Sequence, residues 1–457
     1  MPDERMEHDE MGEVRVPAAA LYGAQTQRAV ENFPISGMRL GREFIRGLGL
    51  LKKASAVANA RLGTLEPEIA SAIGSAAKEV IAGRHDDQFV VDVFQTGSGT
   101  STNMNANEVI AHLASAQSGR EIHPNDHVNR SQSSNDVMPS ALHVAAVEML
   151  ADQLAPGLLE LEEGLRRKAQ EFAGIVKIGR THLQDAVPLY LGDEFGGYAR
   201  QVETARERIR WAGLALLELP LGGTAVGTGL NAPREFGGVA AGLISNWTGH
   251  PFREAVNHFE AQAGREGVAM LAGALKTYAV ALTKIANDLR MLASGPRCGI
   301  GEIRLPAVQP GSSIMPGKVN PVILESTLMV CAQVMGLETA VAWCCAGGQL
   351  ELNAMLPLMA FDLLEMIRLL AAASRNLQER CIGGISVQQE AIARMTEQSY
   401  ALATAPSPEI GHAAAAAIAQ EAEQTGSSVR AVAQRRTGLS AERLNELLDL
   451  RRLAEGG

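Results

Sequence analysis

Five stretches of this 457-residue chain carry apolar side chains at three- and four-residue steps: 137–172, 191–219, 264–293, 321–346 and 353–381. That spacing is the period of an α-helix, so each reads as a long helix. Several are apolar on more than one face. In the third, Ala272, Leu275, Ala279, Leu282, Ile285 and Leu289 form one stripe, and Met270, Val280 and Met291 lie beside it. A helix apolar nearly all round has to be covered on all sides. Five such helices exceed what one small domain can hide, which implies a bundle packed across subunits. An aromatic content of 4% beside 46% apolar residues suits helix packing better than a β-sandwich.

Composition removes other classes. The apolar content excludes a disordered chain. The formal charge of −10, without a basic cluster, argues against a nucleic-acid partner. The N-terminus, MPDERMEHDEMGEVRVP, lacks the apolar core of a secretory signal, and no 18-residue run reads as a membrane span. A cytoplasmic location is expected. Cys298, Cys331, Cys344, Cys345 and Cys381 form no CxxC pair, as expected of reduced thiols, and their spacing fits neither zinc nor an iron–sulfur cluster.

The first third is mixed, with helical periodicity at 44–62 and 67–82 and a polar loop from Tyr22 to Arg28. Pro220, Gly222-Gly223 and Gly295-Pro296 end helices. Asn320-Pro321 reads as a helix cap followed by proline at the first helical position. The last part, 386–457, reads as a small helical domain. The expected division is 1–133, 134–385 and 386–457.

Four polar blocks interrupt the helices. Gly97 to Asn105 offers glycines for close backbone approach, and hydroxyls where a helix begins, a place that suits an anion. By itself it reads first as a loop that caps a helix. His123 to Asp136 is an array of hydrogen-bonding side chains fit for a small polar ligand. Its His123, Asp126 and His127 have no matching cluster, so hydrogen bonding is favoured over metal ligation. Gly179 to Ala186, placed between two helices, contains His182, the histidine best suited to proton transfer, with a structural role equally open. Pro310 to Pro321 has glycines and prolines at both ends, as in a loop that closes over a site, and Lys318 lies just before a helix N-terminus.

GSSIMPGKVNP (Gly311–Pro321) resembles the long motif of the fumarase/aspartase superfamily. The resemblance runs through nearly the whole chain: YGAQTQR (Tyr22–Arg28), GSGTSTNMNANEV (Gly97–Val109), HPNDHVNRSQSSND (His123–Asp136), GRTHLQDAVP (Gly179–Pro188), LGGTAVGTGLNAP (Leu221–Pro233), KIANDLRMLASGPRCGIGEI (Lys284–Ile303) and CAQVMG (Cys331–Gly336) are similar to class II fumarases, in order. Four details separate them from aspartate ammonia-lyases: His182 after Thr181, Gly317 before Lys318, Ser134 inside the Ser133–Asn135 triad, and His123-Pro124 before Asn125.

The resemblance implies a mostly α, three-domain fold with a central bundle of long helices, and a homotetramer whose active sites combine loops from three subunits. It implies reversible hydration of fumarate to (S)-malate, in the tricarboxylic acid cycle, without metal or other cofactor. Ser312 matches the base, His182 the group that handles water, and Glu325 the carboxylate that pairs with this histidine. Lys318 and Asn320 match the carboxylate-binding pair. Ser98, Thr100, Ser133, Ser134, Asn135, Thr181 and Ser313 match further substrate donors. Arg120, His123, Asn125 and Asp126 match a second dicarboxylate site at the entrance. Departures sit at the periphery: Ser101-Thr102 for Gln-Ser, His127 for Asp, and added prolines with His412 for Tyr within 404–412. The alternatives are an aspartate ammonia-lyase and a catalytically silent structural protein like the lens crystallins of this superfamily.

Overall fold

The long periodic stretches all become helices in the computed structural model, which describes residues 4–456. A hairpin opens the chain: β1 (Glu4–Asp9) pairs antiparallel with β2 (Gly12–Pro17), Asp9 opposite Gly12. α1 (Ala24–Asn32), α2 (Arg42–Arg61), α3 (Pro67–Ile81) and α4 (Thr100–Ser118) follow. α5 (Ser134–Met149) and α6 (Ala155–Glu171) are joined by a π-helical turn at Leu150–Leu154. Then come β3 (Val176–Thr181), β4 (Gln184–Tyr190), α7 (Leu191–Gly213), α8 (Phe236–Thr248), α9 (His258–Ala263), α10 (Glu266–Leu292), α11 (Val322–Ala346) and α12 (Leu356–Arg380). Further helices and paired two-residue strands fill the remainder.

The chain forms two compact units. One takes residues up to 156, 205–279 and 330–372; the other takes 157–204, 280–329 and 373 onward. The boundaries fall inside α6, α7, α10, α11 and α12. In the first unit Phe44, Leu48 and Leu51 of α2, Ile73 of α3, Ile110 of α4 and Val144 of α5 are fully buried. Helices α2 and α5 approach so closely that a Cβ on Gly47 would lie 2.8 Å from the Ala141 carbonyl oxygen. In the second unit Phe172, Phe195 and Tyr198 stack edge to face. Its terminal helices close on Ile418, Val432, Leu444 and Leu448.

α10 and α11 keep apolar surface in reserve. On α11, Leu324, Thr327, Cys331, Val334, Val341 and Cys344 are buried at helical spacing, while Met329 and Trp343 on other faces are 68% and 75% exposed. On α10 the stripe from Ala272 to Leu289 is buried, and Met270, Val280 and Met291 beside it are open. One sequence expectation is corrected. Both helices are long and apolar enough to cross a membrane by length and composition, because an 18-residue window in each holds no more than two charged side chains, as with Lys276 and Lys284 on α10. The Gly179–Ala186 block lies between α6 and α7, as expected, and forms a β-hairpin.

Candidate active site

In the first unit, three stretches distant in sequence build one array of donors. Gly99, with φ of 74°, turns the chain into α4. A Cβ on Gly97 would sit 1.9 Å from the Ala354 carbonyl oxygen, and one on Gly99 would sit 2.4 Å from the Met138 Cε. Only glycine allows these approaches. Between them Ser98 Oγ and Thr100 Oγ1 lie 2.8 Å apart.

The Ser133–Asn135 triad opens α5 through a capping box. Ser133 N–H donates to Asp136 Oδ1 at 2.9 Å, and Asn135 N–H to Ser133 Oγ at 3.3 Å. The other Asp136 oxygen accepts from Gly222 N–H and Thr224 N–H, both at 3.0 Å. Asn135 Nδ2 donates to the Ala225 carbonyl at 2.8 Å. The Gly222–Ala225 turn is thereby clamped onto the first turn of α5. Pro139, inside α5, has no N–H to offer the Asn135 carbonyl four residues earlier.

Beneath the triad lies Lys52 of α2, fully buried. Its Nζ donates to Asn129 Oδ1 and Gln132 Oε1, each at 3.0 Å. Asn103 Nδ2 joins Asn129 Oδ1 to Ser134 Oγ, at 3.1 Å each. Burial pushes the Lys52 ammonium down to about 7, against the pull of Asp136. Burial likewise pushes Asp136 up to about 6, while its backbone N–H donors and Lys52 hold the other way. Lys52, Asn103, Asn129 and Asp136 are positioning residues that the motif reading did not single out. The signal for Lys52 is a lysine at the apolar spacing of Leu48, Leu51 and Ser55.

The second unit carries the proposed proton-transfer groups. The tip of the β3–β4 hairpin is His182-Leu183, both left-handed with φ of 55° and 59°. Two-residue hairpins of this twist need positive φ at both positions, a place for Asn or Gly. A histidine and a leucine there are strained, and both side chains are exposed. On the 305–321 segment, Ser312 Oγ accepts from Ile314 N–H at 3.2 Å and Met315 N–H at 2.9 Å. Gly311 N–H donates to the Lys318 carbonyl at 2.8 Å, and Asn320 Nδ2 donates to the Gly311 carbonyl, closing the loop at its neck. Asn320 therefore braces the loop; helix α11 starts two residues later, at Val322. Ser313 and Lys318 are exposed, and Glu325 is half-buried.

The structure thus brings Ser98, Thr100, Ser133, Ser134 and Asn135 together in one unit. Thr181, His182, Ser312, Ser313, Lys318, Asn320 and Glu325 belong to the other. Among the described residues no hydrogen bond or ion pair within the chain joins His182 to Glu325 or Ser312. Of the entrance residues, His123 and Asn125 line a cleft of about 550 Å³ with Tyr22, Glu108 and His112. Arg120 turns away to Glu66 Oε2 at 2.9 Å, and Asp126 pairs with His123 at 3.3 Å. No group of three or more His, Cys, Asp or Glu among the described residues could hold a metal ion.

The chain is mostly helical, with a donor array at one helix start in the first unit and, in the second, Ser312 held by two N–H groups. A family model described as lyase matches residues 12–336, and one described as fumarase C C-terminus matches 402–455. The class II fumarate hydratase of Mycobacterium tuberculosis is 54% identical over 98% of this chain and 94% of its own length. That of Thermosynechococcus vestitus is 49% identical over 98% and 97%. Among solved structures, a class II fumarase from Schistosoma mansoni superposes with a TM-score of 0.96 at 37% identity, covering 99% of each chain. A structure from Brucella melitensis described as fumarate lyase:delta crystallin, bound to cobalt, gives 0.95 at 45%, covering 99% of this chain and 100% of that one. The chain belongs to the lyase family of the class II fumarate hydratases.

Proposed function

We propose that this chain catalyses the reversible hydration of fumarate to (S)-malate as a homotetramer. In the malate direction a base removes the C3 proton, and the electron pair moves into the adjacent carboxylate to give an aci-carboxylate dianion. The C2–O bond then breaks, and the leaving hydroxide departs as water after taking a proton. Stabilising the dianion is the main task. Lys318 and Asn320 bind the carboxylate that receives the charge, and Ser98, Thr100, Ser133, Ser134, Asn135, Thr181 and Ser313 supply donors around the substrate. Ser312 is the base and His182 protonates the leaving hydroxyl, with Glu325 of another subunit as its partner.

The observation that carries this reading is the pair of N–H groups on Ser312 Oγ. A hydroxyl is a poor base until its alkoxide is stabilised, and two backbone donors aimed at the oxygen do that. The tetramer is supported by the open apolar faces of α10 and α11. A protein rather than a lipid cover for those faces goes with a cytoplasmic enzyme. Incubation with malate should produce fumarate, read by its ultraviolet absorbance, and incubation with aspartate should not. Turnover of aspartate in place of malate would make it an ammonia-lyase, and turnover of neither a silent structural protein. Activity should survive a chelator.

A further inference from the structure

The hairpin that carries His182 stands on a cluster of four charges, two of them fully buried, all in the second unit. Lys177, on β3, is fully buried, and its Nζ lies 3.0 Å from Glu194 Oε1 on the first turn of α7 and 3.2 Å from Glu302 Oε2. Arg180, on the same strand, places Nη1 2.7 Å from Glu302 Oε1. Lys177 and Arg180 are three residues apart, so in a regular strand their side chains would point to opposite faces. The register between β3 and β4 shifts between Ile178 and Arg180. A bulge of this kind re-aims the side chains beyond it, and here both cations meet one carboxylate.

Glu302 is a fixed post. It is fully buried. Its N–H donates to the Leu292 carbonyl at 2.9 Å, and its carbonyl accepts from Gln388 N–H at 2.8 Å. The next two residues pair with Ser386 and Val387. Beyond Arg180 come Thr181 and the left-handed His182-Leu183 tip. Strained turns of this kind persist only where their surroundings over-determine them.

We propose that Glu302 and Arg180 are positioning residues for Thr181 and His182: the bulge turns Arg180 onto the Glu302 carboxylate, and this pair fixes the strand end from which the strained tip projects. The inference rests on His182 as the group that handles water in the proposed reaction. Misplacing a reacting group by about 1 Å costs on the order of 10²-fold in rate. Arg180→Met should therefore lower kcat for malate by that order, with KM rising far less, through the one displaced donor Thr181, since the Ser133–Asn135 donors are untouched. Arg180→Lys, which keeps the charge facing Glu302, should recover most of the loss. Glu302→Gln combined with Arg180→Met should be no slower than the worse single variant, because the two act through one contact. Wild-type kcat in Arg180→Met, losses that multiply in the double variant, or a larger effect on KM than on kcat would each overturn the proposal. If Arg180→Met does not assemble, Arg180→Lys decides between the outcomes: a kcat as low as that of His182→Asn at full assembly refutes rescue by charge, and a kcat near wild type supports it. A wild-type chain that turns over no malate would instead refute the proposed function.

Discussion

Replacing Lys52 by Met tests whether a buried lysine holds the donor array in place. Methionine fills similar space, but both hydrogen bonds from Nζ are lost. Asn129 Oδ1 keeps its bond from Asn103, while Gln132 Oε1 loses its donor. One orphaned acceptor on the half-buried Gln132 costs about 1 kcal/mol, and Lys52→Met should lose stability by about that much at pH 7.5. The pH dependence is the sharper mark. Burial pushes the folded-state Lys52 down to about 7, whereas a lysine in the unfolded chain titrates near ~10.4. Between these values the unfolded chain binds a proton that the folded chain has shed, so the contribution of this group to stability rises with pH and is lowest below pH 7. The wild-type advantage over Lys52→Met should grow by up to about 1.4 kcal/mol per pH unit. Urea unfolding followed by circular dichroism at pH 7.5, 8.5 and 9.5, at fixed protein concentration, reads it directly. A difference that stays flat across these three pH values refutes the assignment of a depressed, buried Lys52.

Other substitutions separate binding from chemistry. His182→Asn should lower kcat for malate by on the order of 10²- to 10⁴-fold, the usual worth of a proton-transfer group; near wild-type turnover would remove His182 from the mechanism. Ser312→Ala should slow the reaction by orders of magnitude while the circular dichroism spectrum stays unchanged, and a modest loss of rate would count against Ser312 as base. Asn135→Ala removes a donor and frees the Gly222–Ala225 turn, so KM for malate should rise about tenfold, read by steady-state kinetics; an unchanged KM would take Asn135 out of the binding array. Gly97→Ala forces a methyl against the Ala354 carbonyl and should lower stability by about 1–3 kcal/mol, visible as a lower urea midpoint.

Much of the site was legible as chemistry, because polar blocks stand out against an apolar helical chain. The Gly97–Asn105 and His123–Asp136 blocks do meet, through Asn103 and Ser134. The hairpin under His182 was harder to read. Its strands carry β-branched residues in the short runs 176–181 and 184–190, but the tip lacks the Asn-Gly or Asp-Gly that marks such a turn. Its strain is held by a buried ion pair with Glu302, more than a hundred residues away. Lys52 was hidden for a related reason. Helical periodicity identifies a buried face, but it cannot say that a charge on that face will find Asn129 and Gln132.

The amino-acid sequence by itself determined the helical architecture, the surplus of apolar surface and the chemical character of each loop, since these follow from local period and composition. The tertiary structure alone decided which distant groups share a carboxylate or an ammonium. Asp136 gathers the turn at Gly222–Thr224, Lys52 steadies the triad, and Glu302 collects Lys177 and Arg180. Buried charges are stable only beside specific partners, and which partners come within 3 Å is fixed by how the helices pack, not by the order of residues along them.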